Sequence, residues 1–144
     1  MEFDNFHTPD FHIRSPKDWN RQAFITFIAR GEDEFPRNVV ITQEDLPAAA
    51  TVEEYARQQR KELENLAGFN LVEEGVLPVQ GRDVPYVIYS WRPANGKPIK
   101  QFQTYFVAST KAWTITGTAL TSEFDSLLPD FRSIAGSFNS ERNV

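Results

Sequence analysis

The feature that most constrains this chain is a failure of alternation. A strand with one face on a core and the other in water alternates apolar and polar side chains. Several strand-like runs here do not. In Gln22–Arg30, Phe24 and Ile28 point one way while Ala23, Ile25 and Phe27 point the other. In Asn38–Gln43, Val39 and Ile41 oppose Val40 and Thr42. In Asp83–Arg92, Val84, Tyr86 and Ile88 oppose Val87, Tyr89 and Trp91. A sheet of such strands is apolar on both faces and needs cover on both. Either a helix packs on each face, or one face is left wholly or partly open to a partner.

Two helical segments can supply that cover. Thr51 is a good N-cap, and Glu54 three residues later completes a capping-box pattern. Val52, Tyr55, Ala56, Gln59, Leu63 and Leu66 then recur at helical spacing, with Gly68 as the stop. Ser122 is expected to cap a last helix that places Phe124, Leu127, Leu128, Phe131, Ile134 and Phe138 on one face. Pro129 either starts a second helical piece or kinks a single helix. Further strands are expected at Phe11–Arg14, Asn70–Glu74, Ile99–Ser109 and Trp113–Leu120. Turns are expected at Gly31–Pro36, Gly75–Arg82, Asn95-Gly96 and Thr110-Lys111, Asn-Gly being the strongest hairpin signal. The order is strands, helix, four strands, helix. It predicts a single α+β domain over 1–144, a mainly antiparallel sheet packed with two helices.

Bulk properties remove several function classes. A chain of 144 residues buries a core without metal or disulfide, and its lack of cysteine excludes thiolate chemistry and cysteine zinc sites. The net charge of −5 and pI near 5.0 argue against nucleic acid, whose phosphates call for Lys and Arg. No apolar run reaches the ~18 residues of a membrane span, and the acidic start is not a signal peptide. A cytoplasmic location without membrane insertion is expected on that ground.

No constellation suggests catalysis. His7 and His12, with Asp10 between them, are the only histidines. A metal site needs three or four converging ligands, and a frayed chain end does not preorganise them. Glu32, Asp33 and Glu34 share one turn and read as solvation. Glu73 and Glu74 are strand neighbours facing opposite ways. The glycines make no phosphate-binding pattern, and the three tryptophans read as packing residues. No enzyme activity, cofactor or metal is expected.

The informative strand is Ile99–Ser109. Its faces are Phe102, Thr104, Phe106 and Ala108 against Gln101, Gln103, Tyr105 and Val107. The second face joins apolar area to amide donors and acceptors, which suits a partner. Gln59 interrupts the first helix's apolar stripe, where an unpaired buried amide costs about 1–3 kcal/mol. It either bonds to the sheet or faces a groove.

Ser15-Pro16-Lys17-Asp18-Trp19 ahead of the Gln22–Arg30 strand resembles the opening of the DcrB-related family. Gln101-Phe102-Gln103-Thr104-Tyr105-Phe106 followed by Trp113-Thr114-Ile115-Thr116-Gly117-Thr118 is similar to its late hairpin, and Phe131, Ile134 and Ser137-Phe138 to its closing helix. The resemblance spans nearly the whole chain and implies a PsbP-like α/β sandwich. Some members are periplasmic lipoproteins, but no lipobox cysteine is present here. The branch resembled is the Eag chaperones of bacterial type VI secretion. That implies a cytoplasmic homodimer that shields the N-terminal transmembrane segments of a toxin effector and aids loading onto the VgrG–PAAR spike. Such a client needs an apolar cradle with a few polar groups. By strand parity the candidates are Ile25, Phe27, Val40, Thr42, Gln103 and Tyr105, with Gln59, Leu63 and Leu66 as a helical wall. A generic protein-interaction adaptor and a carrier of small apolar ligands are the alternatives.

Overall fold

The structure, a computed structural model, describes residues 1–29, 35 and 37–140. Apart from Phe35, the expected turn at Gly31–Pro36, with Glu32, Asp33 and Glu34, lies outside the described residues, as does Arg30 at the end of its strand. The elements are β1 (Phe3–His7), β2 (His12–Pro16), β3 (Gln22–Ile28), β4 (Asn38–Asp45), α1 (Val52–Leu63), β5 (Asn70–Val79), β6 (Arg82–Trp91), β7 (Ile99–Ala108), β8 (Lys111–Leu120) and α2 (Thr121–Gly136). Strands β3 to β8 form one sheet in the order β3-β4-β8-β7-β6-β5, with every pairing antiparallel. Strands β1 and β2 pair only with each other. The α+β architecture read from the sequence is the observed one.

One helix lies on each face. On the α2 side, Phe102 of β7 and Phe124, Phe131 and Ala135 of α2 close around Ile115 and Ala119 of β8. On the α1 side, Tyr55 and Leu63 pack on Val87, Tyr89, Tyr105 and Ala112. Burying side chains of this size contributes about 1.5–3 kcal/mol each. This is why neither face alternates. Cover is nevertheless incomplete. Helix α1 lies over β6 and β7, and α2 over β8, β7 and β5. The β3 end of the sheet receives little from either, and Phe24, Ile25, Phe27 and Ile28 stay 69, 55, 60 and 56% exposed. The closed and open arrangements therefore coexist.

Local chemistry explains where boundaries moved. Thr51 caps α1, its Oγ1 accepting from Glu54 N at 3.1 Å. Ser122 caps nothing: α2 starts at Thr121, straight off β8, and Thr121 N donates to Pro98 O at 3.2 Å. Pro129 sits inside one helix. Strand β5 runs on through the expected turn to Val79, with Leu77 and Val79 facing the core. Pro78 is tolerated because β5 is an edge strand and its missing N–H breaks no ladder. The reversal falls at Gln80-Gly81, where both residues have positive φ, the two-residue turn that matches strand twist. Asn95 is also left-handed, but within the longer connection 92–98.

Gly117 marks the tightest contact between the layers. A Cβ there would lie 2.5 Å from Phe131 Cγ, so α2 seats its ring directly on the β8 backbone. Gly117→Ala is expected to lower stability by about 1–3 kcal/mol in urea denaturation, through overpacking. An unchanged midpoint would contradict this docking of α2.

The α1 core also makes stability pH-dependent. Burial raises the Tyr55, Tyr89 and Tyr105 phenols above their ordinary value of 10.0, and at Tyr55 a 2.5 Å bond to Glu44 adds to it. A raised pKa keeps these phenols neutral in the fold while the unfolded chain ionises near pH 10.0. Their contribution is complete below that pH and falls as pH rises beyond it. Tyrosinate absorbance and loss of far-UV circular dichroism should therefore rise together above pH 10. Ionisation of all the tyrosines with the dichroism intact would contradict the burial.

Candidate interaction groove

The incompletely covered α1 face carries a shallow, open groove of about 490 Å³. Leu63 and Leu66, at and just beyond the end of α1, form one wall. Trp91 of β6 adds apolar surface over the buried Tyr89 and Ile99, and Asn38 and Val40 of β4 form the far side. The floor is polar but uncharged: Gln101 and Gln103 from β7, Thr116 and Thr118 from β8. Among the described residues, no lining side chain carries a charge.

The polar floor is ordered by cross-strand pairing. Gln101 stands directly opposite Thr118, and Gln103 opposite Thr116. Gln101 Nε2 donates to Thr118 Oγ1 at 2.8 Å, and Gln103 Nε2 to Thr116 Oγ1 at 3.0 Å. From the β6 side, Trp91 Nε1 donates to Gln101 Oε1 at 2.7 Å. From beneath α1, the Tyr105 hydroxyl donates to Gln103 Oε1. Each glutamine is thus held at both ends of its amide. Because the threonine hydroxyls accept, their own O–H groups can donate, as can the second N–H of each amide. The floor is an array of preoriented donors among apolar walls, chemistry that suits carbonyl groups on an apolar polymer.

The sequence-derived candidates divide. Val40, Leu63, Leu66 and Gln103 line the groove. Tyr105 is only 2% exposed and supports Gln103 from behind rather than facing a partner. Thr42 shares the face but pairs with Thr114 further along β4 and β8, outside the groove lining. Gln59 is half-buried on the stripe between Tyr55 and Leu63, also outside the lining. Ile25 and Phe27 are on the wrong side. Their partners across the ladder are Ile41 and Val39, which pack in the α2 core, and directly opposed residues share a face. The β3 residues on the groove side are Phe24, Thr26 and Ile28, opposite Thr42, Val40 and Asn38. Parity within each strand was legible; the register across the 29–37 connection was not, and a slip of one residue exchanges the faces. Gln101 and the alternating Thr114, Thr116 and Thr118 carried the signal for the missed floor residues.

A family model for DcrB matches residues 11–132. No protein of curated function matches the sequence. Among solved structures, the fold is similar to that of the Pseudomonas aeruginosa protein PA94, described as a protein of unknown function and putative regulator. The two share 14% identity and a TM-score of 0.72 over 99% of this chain and 100% of that one. It is also similar to LpqN of Mycobacterium tuberculosis, described as involved in cell envelope biogenesis, at 12% identity and a TM-score of 0.54 over 92% of this chain and 86% of that one. At these identities the likeness is one of fold. The family match corrects the expected cytoplasmic location, since DcrB-family proteins are periplasmic or otherwise extracytoplasmic. The cytoplasmic expectation rested on the acidic start of the sequence and on the Eag resemblance, and neither places the chain. With the family model spanning most of the sequence, from the start of β2 into α2, the chain belongs to the DcrB family.

Proposed function

We propose that this protein is an interaction module whose α1-side groove receives an apolar stretch of a partner polypeptide, without chemistry of its own. The observation that carries the reading is a groove that has, among the described residues, no charged lining side chain, in a chain that is 24% charged, with donors fixed along its floor. Apolar walls supply binding energy, and the paired amides and hydroxyls supply register at little ordering cost. An enclosed cavity would suit a small ligand, burying 70–90% of its surface. A shallow open groove suits a chain instead. The narrower client implied by the resemblance is the transmembrane segment of a type VI effector, delivered to the VgrG–PAAR spike. It would use the same groove, but neither family membership nor the solved neighbours bears on it, and the family's extracytoplasmic setting favours the broader reading.

A second copy is the other partner we propose, joined at the β3 edge. Edge strands are normally blunted by charge, proline or a bulge. Strand β5 has all three: Glu73 and Glu74, Pro78, and a bulge between Leu71 and Glu73. Strand β3, Gln-Ala-Phe-Ile-Thr-Phe-Ile, has no charge and no proline, and its ladder to β4 is regular. Antiparallel self-pairing about Ile25 would set Ala23 against Phe27 and Phe24 against Thr26, pairing the free backbone groups of the edge and giving each exposed side chain a cross-strand neighbour.

Two measurements follow. A labelled, lysine-flanked polyleucine peptide should bind the native protein, and Val40→Asp or Leu66→Asp should weaken it tenfold or more, about 1.4 kcal/mol. Ile25→Asp, on the opposite face, should leave its anisotropy titration unchanged. Loss confined to Ile25→Asp would move the site to the α2 side. In sedimentation, Thr26→Lys should convert a dimer to monomer. A wild-type chain that stays monomeric at high concentration would overturn the β3 seam.

A further inference from the structure

The hairpin of β1 and β2 brings together the chain's two histidines. His7 and His12 stand directly opposite each other, with ring centroids 5.8 Å apart and planes tilted by 36°. Thr8 N donates to Phe11 O at 2.8 Å, so Thr8 and Phe11 form a hydrogen-bonded pair. Pairs alternate along an antiparallel ladder, which makes His7 and His12 a non-hydrogen-bonded pair, the type whose side chains approach more closely. Reading these histidines as ordinary surface residues assumed a frayed chain end. The structure gives that end five registered pairs, and a turn fixed by Thr8 Oγ1, which accepts from Asp10 N at 3.2 Å and Phe11 N at 3.0 Å. Arg14 of β2 over the Phe3 ring braces the two strands further, and Arg21, just ahead of β3, lies over the Phe6 ring of β1.

We propose that His7 and His12 form an open two-imidazole site for a late first-row divalent ion such as zinc, copper or nickel. Imidazole suits these ions, and their metal–nitrogen distances set the geometry. Two imidazoles on one zinc ion, each with a metal–nitrogen bond of about 2.1 Å at a near-tetrahedral angle, have ring centres about 5 Å apart. The observed 5.8 Å is reached from there by a small side-chain rotation, without moving the strands. Both rings are exposed, so water fills the remaining positions and the ion exchanges freely. Among the described residues no third histidine or carboxylate converges on the pair, which sets this site apart from a closed structural one. A bound ion clamps the hairpin at its turn end, next to Thr8–Phe11, and so fixes the register of an arm that exposes Phe3, Phe11 and Ile13.

Zinc titration followed by imidazole nitrogen–proton correlation NMR tests this on the full chain. Both histidines should shift together and saturate at one zinc per chain. In His7→Ala or His12→Ala, the remaining imidazole should respond at least tenfold more weakly. Both residues are solvent-exposed, so these variants keep the fold. A remaining histidine that responds at the wild-type midpoint would show two independent surface groups, and no response in the wild type would show no site; either overturns the proposal.

Discussion

The structure depends on a mismatch between the sheet and its cover. Several of the six strands carry apolar residues on both faces, while the described residues supply one helix for each face. Helix α2 has Gly117 to sit against and covers its side closely, with Phe124 and Ala135 fully out of water. Helix α1 packs mainly on β6 and β7, with the Tyr55 hydroxyl reaching on to Glu44 of β4 and Thr114 of β8. What α1 leaves uncovered is the groove, and what neither helix reaches is β3. Both proposed interaction surfaces are consequences of this one shortfall.

The groove's polar floor is informative because it is already satisfied. Buried side-chain polar atoms without a partner are absent among the described residues. The glutamines of β7 therefore do not require a ligand in order to be stable, and the free protein can keep them ordered until an apolar segment arrives. Leaving such groups unpaired would cost about 1–3 kcal/mol each, so the rungs to Thr116 and Thr118 also protect the empty state. Tyr105, buried behind Gln103, extends that order into the core under α1.

Much of the fold was legible in the sequence, for identifiable reasons. Two-sided apolar strands demanded two layers of cover, and Thr51 with the Val52–Leu66 stripe announced α1. The β1–β2 hairpin was half missed because Phe3-Asp4-Asn5-Phe6-His7 has no apolar alternation; it is held by backbone pairing and ring–cation contacts. The length of β5 was hidden by Gly75 and Pro78, which read as breakers. In the structure Gly75 instead makes room for the Tyr86 ring, and Pro78 lies on an edge. The site was legible strand by strand but not as a whole. Gln103, Val40, Leu63 and Leu66 converge, while Ile25 and Phe27 fall on the other face because no residue pattern fixes register across the connection from β3 to β4.

The three tryptophans offer the most direct test, because each reports on a different surface. Trp91 lines the groove, Trp113 packs against Phe138 on the α2 side, and Trp19 is exposed beyond the hairpin. Indole nitrogen–proton NMR signals recorded while the polyleucine peptide is added separate the three in one spectrum. The account predicts that the Trp91 signal moves with peptide while those of Trp113 and Trp19 stay in place. Movement of Trp113 or Trp19 with Trp91 unmoved would contradict it, placing the apolar partner away from the α1-side groove.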